Sequence, residues 1–197
     1  MEAPVYLVVA LGNPGPEYQF HRHNAGFMVG EELRRRHGLP ALRSKFQGLT
    51  AEGSIAGKRV VLLLPTTFMN LSGRSAAEAA RYYKVPVDRV LVIHDEVELP
   101  FGEVRLKEGQ GLGGHNGLRS MQQSLGTRDF WRLRVGVGRP DSAGKQLIDH
   151  VLASFSEPRE DVLALVGKAA DLAEEWLAGR DDGGSGRDAR GDASCPA

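Results

Sequence analysis

Cysteine is nearly absent: Cys195 is the single thiol among 197 residues, so no intrachain disulfide can form and a reducing, cytoplasmic setting is expected. Long apolar runs are missing too. The run at residues 5–11 has no basic segment before it and is too short for a signal sequence with a cleavage site. Nothing approaches the length of a membrane span, so no membrane partner is expected. Neither sign of charge is in excess: Lys plus Arg and Asp plus Glu number 25 each, so no global field advertises a polyanion. No repeat appears at solenoid periods. Several catalytic signatures are also lacking. Gly12-Asn13-Pro14-Gly15 follows the first apolar run but is not G-x-G-x-x-G, and no Walker lysine follows the later glycine-rich stretch. The serine elbow G-x-S-x-G is absent. His23, His94, Asp95, Glu96 and His115 are good ligand types, yet no H-E-x-x-H or paired-cysteine spacing supports a metal. No metal or cofactor is expected. Asn70-Leu71-Ser72 fits a glycosylation sequon, which a cytoplasmic chain leaves unused.

What is present suits one folded domain. Hydrophobic residues make up 41% and charged residues 25%, enough to bury a core at this length. Residues 179–197 contain almost nothing apolar and cannot offset their own ordering entropy, so the domain is expected over 1–178 and a disordered tail over 179–197. The continuous apolar runs 5–11, 60–64 and 90–93 predict strands covered on both faces. Residues 132–138 alternate, with Leu133, Val135 and Val137 on one side. A further strand over 46–56 is predicted to form a hairpin with 58–64. Helices are predicted from Asn24, read as an N-cap, to Gly38; from a capping box at Ser75-Ala76-Ala77-Glu78; over 116–125; over 157–177; and as a short piece near 145–152. Strands alternating with helices give an α/β fold: a single three-layer α/β/α domain with a mixed, largely parallel twisted central sheet flanked by helices.

Polar residues gather where the buried runs stop. Asn13 follows the first run, Asn70 follows Pro65-Thr66-Thr67-Phe68-Met69, and His94-Asp95-Glu96 follows the third. Ligands of open α/β sheets bind outside the carboxyl ends of the strands, so these residues are candidates to share one crevice. His21-Arg22-His23-Asn24, before the first helix, and the glycine-rich residues 109–117, which enter a helix, can reach it. The chemistry left open is metal-free acid–base work by an imidazole, a carboxylate and several amides.

Gly12-Asn13-Pro14-Gly15, the stretch 18–26 with its Arg22-His23-Asn24-Ala25-Gly26 core, PTTFMNLSG at 65–73, His94-Asp95-Glu96 and GGHNGL at 113–118 together resemble the bacterial-type peptidyl-tRNA hydrolases. They occur in the family's order and spacing over about residues 5–152. The resemblance implies cleavage of the ester joining a peptide to the 3′-terminal ribose of tRNA, recycling tRNA from stalled or abortive translation. It implies a catalytic pair, His23 as general base and Asp95 as the carboxylate fixing its tautomer. It also implies substrate contacts from Asn13, Tyr18, Met69, Asn70 and Asn116, with Met69 lining a peptide channel. A basic cluster of Arg105, Lys107 and Arg134 would grip the tRNA 5′-phosphate; arginine at 105 departs from the family's usual lysine but keeps the charge. The expected partner is the acceptor stem and 3′ end of peptidyl-tRNA, and the expected state is a monomer.

The zero net charge hides a segregation that suits such a partner. Residues 99–145 carry eight basic side chains against four acids, whereas 146–178 carry two against seven. A second reading is a non-catalytic RNA-binding relative on the same fold, as among plant splicing factors; His23, Asp95 and Asn116 all being present favours the enzyme. For His23 two influences oppose each other. The start of a helix disfavours imidazolium, while Asp95 favours it, and both stand at this point.

Overall fold

Strands buried on both faces come from the continuous apolar runs, and the rest of the chain is arranged to cover them. The computed structural model describes residues 2–141 and 146–182. Its strands are β1 (Val5–Ala10), β2 (Arg43–Lys45), β3 (Gly48–Ile55), β4 (Lys58–Pro65), β5 (Val90–Glu96), β6 (Val104–Glu108) and β7 (Trp131–Gly136). They form one sheet in the order β2-β3-β4-β1-β5-β7-β6. The pairings β1–β4, β1–β5 and β5–β7 are parallel; β2–β3, β3–β4 and β6–β7 are antiparallel. The sheet is mixed as expected, but parallel pairing is confined to its four central strands. Both edges are antiparallel: β2-β3-β4 through tight turns, and β6 against β7 across the glycine-rich loop and α3.

The helices are α1 (Ala25–Arg36), α2 (Ser72–Tyr82), α3 (Asn116–Leu125), α4 (Leu147–Val151) and α5 (Arg159–Ala178). Side chains alternate across β1, and this divides the core in two. Tyr6, Val8 and Ala10 pack with Val29 and Leu33 of α1 and Ala169 and Ala173 of α5. Leu7, Val9 and Leu11 pack with Ala76 and Ala79 of α2 and Leu118 and Met121 of α3. Three layers result.

Some local expectations need correction. β5 does not stop at Ile93: His94, Asp95 and Glu96 pair with Arg134, Val135 and Gly136 of β7, so the polar triplet is the strand's own last turn of ladder. Phe46 and Gln47 lie outside β3, at φ of 57° and 52°, making the turn from β2. The capping box at Ser75 is not used. The helix starts at Ser72, out of the short 3-10 turn Met69–Leu71, and Ser72 Oγ donates to the Met69 carbonyl at 2.9 Å. Ser75 is therefore helix interior and fully buried, and Glu78 accepts from Gln47 instead. Asn24 makes no cap bond either, because its side-chain amide is bonded to the backbone of Asn13. The folded chain also runs past residue 178. Arg180 lies over the rings of Trp131 and Trp176, at 4.5 and 4.4 Å, and Tyr6 Oη donates to Asp182 at 3.1 Å. The rest of the expected tail, from residue 183, and Lys145 of the short predicted helix lie outside the described residues.

Two glycines set how closely the layers approach. A Cβ on Gly26 would sit 2.5 Å from the carbonyl oxygens of both Leu11 and Ile93, where α1 starts against the ends of β1 and β5. A Cβ on Gly73 would sit 2.0 Å from the Ser120 carbonyl oxygen, at the crossing of α2 and α3. Alanine is the better helix former by about 1 kcal/mol, but the opposing atoms are backbone and cannot yield as a side chain would. Gly73→Ala is therefore expected to destabilise the fold by a net of about 2 kcal/mol. The check is a lower denaturation midpoint at an unchanged m-value.

Candidate active site

The crevice forms where β1 and β5 end and three connecting segments converge. Leu11 N–H donates to the Ile93 carbonyl and Phe27 N–H to the Leu11 carbonyl, so α1 begins directly over the strand ends. The 3-10 turn Arg22–Asn24 lies between them and is wholly buried. Each of its residues has a distinct task.

Arg22 points away from the crevice. It is 4% exposed, and its guanidinium donates to the carbonyls of His150, Ala153 and Ser154 and to Ser156 Oγ, between 2.9 and 3.4 Å. It ties down the segment after α4. Asn24 clasps Asn13: its Oδ1 accepts from Asn13 N–H at 2.9 Å, and its Nδ2 donates to the Asn13 carbonyl at 3.0 Å. That double bond is why it does not cap α1. Asn13 in turn accepts Met69 N–H on Oδ1 at 2.9 Å, joining the end of β1 to the turn before α2. Its Nδ2 has no protein partner among the described residues.

His23 is 7% exposed, and its Nδ1 lies 2.9 Å from both carboxylate oxygens of Asp95, itself 2% exposed. An ionised carboxylate only accepts, so Nδ1 carries the ring proton and Nε2 is left as a base. Asp95 also receives His115 Nε2 on Oδ1 at 2.8 Å. His115 is the true N-cap of α3, since its Nδ1 accepts from the N–H groups of Gly117 and Leu118 at 3.1 and 3.3 Å. Asn116 is the first residue of α3 and is exposed. It lines a crevice of about 260 Å³ together with His23, Asp95, Glu96, His115, Leu147, Ile148 and others. A wider apolar groove of about 1050 Å³ runs from Asn13 and Asn24 between α1 and α5. The acid–base groups His23 and Asp95 sit in the smaller space.

Asn70 is exposed in the turn before α2, and Tyr18 is half-buried with its ring edge-on to His21 at 5.4 Å. Met69 departs from the expectation that it lines an open channel: it is 4% exposed and belongs to the core beneath α2 and α3, its Sδ against the backbone of Gly117. In the antiparallel pair β6–β7, Arg105 lies opposite Arg134 and Lys107 opposite Arg132. Directly paired residues share one face of a sheet, so four basic side chains are collected there. Arg105 is largely exposed, whereas Arg134 is held at 3.3 Å by Glu96. Arg132 is buried and donates to the carbonyls of Gly109 and Gly111 at 2.7 and 2.8 Å, holding the root of the glycine-rich loop.

A matching family settles what kind of protein carries this geometry. The sequence model described as peptidyl-tRNA hydrolase matches residues 7–185. The chain belongs to the peptidyl-tRNA hydrolase family. Among its curated relatives, the peptidyl-tRNA hydrolase of Rhodospirillum centenum is 54% identical over 168 residues, spanning 83% of this chain and 73% of the relative. That of Geobacter metallireducens is 53% identical over 175 residues, spanning 87% and 88%. The crystal structure of peptidyl-tRNA hydrolase from Acinetobacter baumannii superposes with a TM-score of 0.78 at 39% identity, covering 88% of each chain.

In this peptidyl-tRNA hydrolase family member the competition at His23 has a definite outcome. Burial, the largest single influence, pulls its pKa down, but the charge of Asp95 and the hydrogen bond to it together raise it above the ordinary 6.5. Burial likewise opposes ionisation of Asp95. His23 and His115 overcome it and hold the carboxyl well below the usual carboxylate range. Fully buried His94 is pushed down to about 3, first by burial and then by His115, and its Nδ1 donates to the Asp95 carbonyl at 2.7 Å. It is a neutral structural histidine.

His23, Asp95 and His115 also form a group whose ligand atoms all lie within 4.8 Å of one another. A metal at His115 Nε2 would need the ring proton moved to Nδ1, breaking both cap bonds to α3. The donor set is better suited to passing hydrogen bonds than to holding an ion. Sequence reasoning noticed His115 and Glu96 only as ligand types and did not single out Arg22 or Arg132. Histidine is an uncommon helix cap, so nothing in GGHNG announced its position.

Proposed function

We propose that the chain hydrolyses the ester of peptidyl-tRNA with His23 as general base. The carrying observation is His23 Nδ1 at 2.9 Å from both oxygens of the buried Asp95 carboxylate. Asp95 keeps the ring proton on Nδ1, and Nε2 takes a proton from water as the water attacks the ester carbonyl. The tetrahedral oxyanion is met by side-chain amides, Nδ2 of Asn13 and the exposed amides of Asn70 and Asn116, which donate without carrying charge. On collapse, His23 returns the proton to the 3′-ribose oxygen, releasing peptide acid and tRNA. An ester needs no covalent intermediate for this, because its alkoxide leaves more readily than an amine. Tyr18 bounds the peptide side. Arg105, Lys107 and Arg134 receive the 5′-phosphate, placing the acceptor stem across the β6–β7 edge of the sheet. The enzyme works as a cytoplasmic monomer. Among the described residues no helix is long and apolar enough to cross a membrane.

The test is release of free tRNA from an N-blocked aminoacyl-tRNA by the full chain, with and without chelator. No turnover would sink the hydrolase reading, and turnover abolished by chelator would make a metal essential. The same assay reads His23. A protonated ring cannot accept from water, and the raised pKa keeps the ring protonated to higher pH. The acid limb of kcat/KM is therefore expected to have its midpoint above 6.5. A midpoint below that value would contradict the influence assigned to Asp95.

Arg134→Ala is expected to raise KM, leave kcat at saturation unchanged, and reduce the slope of log binding against log salt by about 1. If the variant only slowed turnover at saturating substrate, Arg134 would not hold phosphate.

A further inference from the structure

His115 is held at both ring nitrogens. Because Nδ1 accepts two backbone N–H groups of α3, the proton is on Nε2, where it is donated to Asp95. The polarity of this ring is locked, since reversing it would leave the first turn of α3 with two unpaired donors. Asp95 thus accepts from two rings, and only that of His115 has its polarity locked by bonds to groups other than Asp95. His115 sits at the end of the glycine-rich loop whose other end Arg132 grips through Gly109 and Gly111. The remaining polar neighbours are the neutral His94, whose ring centroid lies 5.1 Å from that of His115, and the Glu96–Arg134 pair beside the crevice. None of these is hydrogen-bonded to the His115 ring among the described residues.

We propose that His115 is a positioning residue that pins one oxygen of Asp95 from the glycine-rich loop, so that the orientation in which the Asp95 carboxylate meets His23 depends on that loop being docked. The proposal rests on His23 being the base. It assigns the loop a task besides approaching the substrate: while docked it holds the carboxylate in the orientation that His23 Nδ1–H meets.

An amide at position 95 exposes the locked polarity. In Asp95→Asn the side chain has one acceptor, and His115 must take it. The NH2 group then faces His23 Nδ1, which becomes an acceptor, and the His23 proton moves to Nε2. His115→Asn keeps a good helix cap but is too short to reach position 95. In the Asp95→Asn/His115→Asn double variant the amide can turn its oxygen to His23 and restore the Nδ1 proton.

The experiment is 15N NMR of the His23 ring in the full chain, with turnover of N-blocked aminoacyl-tRNA measured alongside. Asp95→Asn is expected to show the proton on Nε2 and the double variant to show it on Nδ1. The double variant should also turn over at least about tenfold faster than the single one, part of the roughly 10⁴ that a wrong tautomer costs. An Asp95→Asn protein that keeps the Nδ1 proton overturns the proposal, as does a folded double variant no faster than the single. A purely structural cap would make the second substitution neutral or harmful. The ring tautomer is read without turnover, so a failure of the hydrolase reading remains distinguishable.

Discussion

His23→Ala is expected to lower kcat by about 10³-fold while leaving the affinity for tRNA within error of the parent, the range that loss of a positioned general base produces. Neither of the other two histidines at Asp95 can take over. His94 is sealed in the sheet and hydrogen-bonded to a backbone carbonyl. His115 has one ring nitrogen committed to α3 and the other to Asp95. Affinity should persist because the basic face of β6 and β7 is built by strand pairing that does not involve His23. Single-turnover hydrolysis and a binding titration at one fixed salt concentration separate the two effects. Substantial residual hydrolysis would remove His23 from its role. The substitution also strips one donor from a buried carboxylate, so the variant's unfolding midpoint should be measured with its activity.

Asp95→Asn is expected to cost on the order of 10⁴ in kcat, the magnitude associated with forcing a histidine base into its wrong tautomer. The side chain keeps its size and burial, so packing does not explain the loss. What changes is the direction of the hydrogen bond toward His23 Nδ1. The remaining activity should also change its pH dependence. In the parent, Asp95 raises the pKa of His23 against the downward pull of burial. With the charge gone only the downward pull remains, and the acid limb moves to lower pH. A pH–rate profile that kept its midpoint would show that the acid limb belongs to another group.

The parts of this protein legible in its sequence are those where one strong physical cause acts alone. β1, β4 and β5 are readable because burial on both faces demands unbroken apolar runs. β2 and β6 are not: Arg43-Ser44-Lys45 and Val104-Arg105-Leu106-Lys107-Glu108 carry edge-strand polarity and pair only because β3 and β7 lie beside them. The Ser75 box and the Asn24 cap are sound local patterns overruled by tertiary partners, a helix crossing at Gly73 and a backbone clasp on Asn13. In the site, His23, Asp95 and Asn116 are legible through motifs. The link between His23 and Asp95 spans 72 positions and exists only because α1 starts over the end of β5. His115 stayed hidden because its importance lies in what both ring nitrogens touch.

The C-terminal closure bears on how the protein can be observed. Trp131 and Trp176 are its only two tryptophans, and Arg180 covers both rings. Trp131 opens β7 at the end of the sheet opposite the crevice, paired with Leu91 at the start of β5. Intrinsic emission therefore reports the seal around Arg180 and is blind to events at His23. A fluorescence change on adding tRNA would report contact or movement at the β6–β7 pair, where Trp131 lies opposite Glu108, and would carry no information on His23.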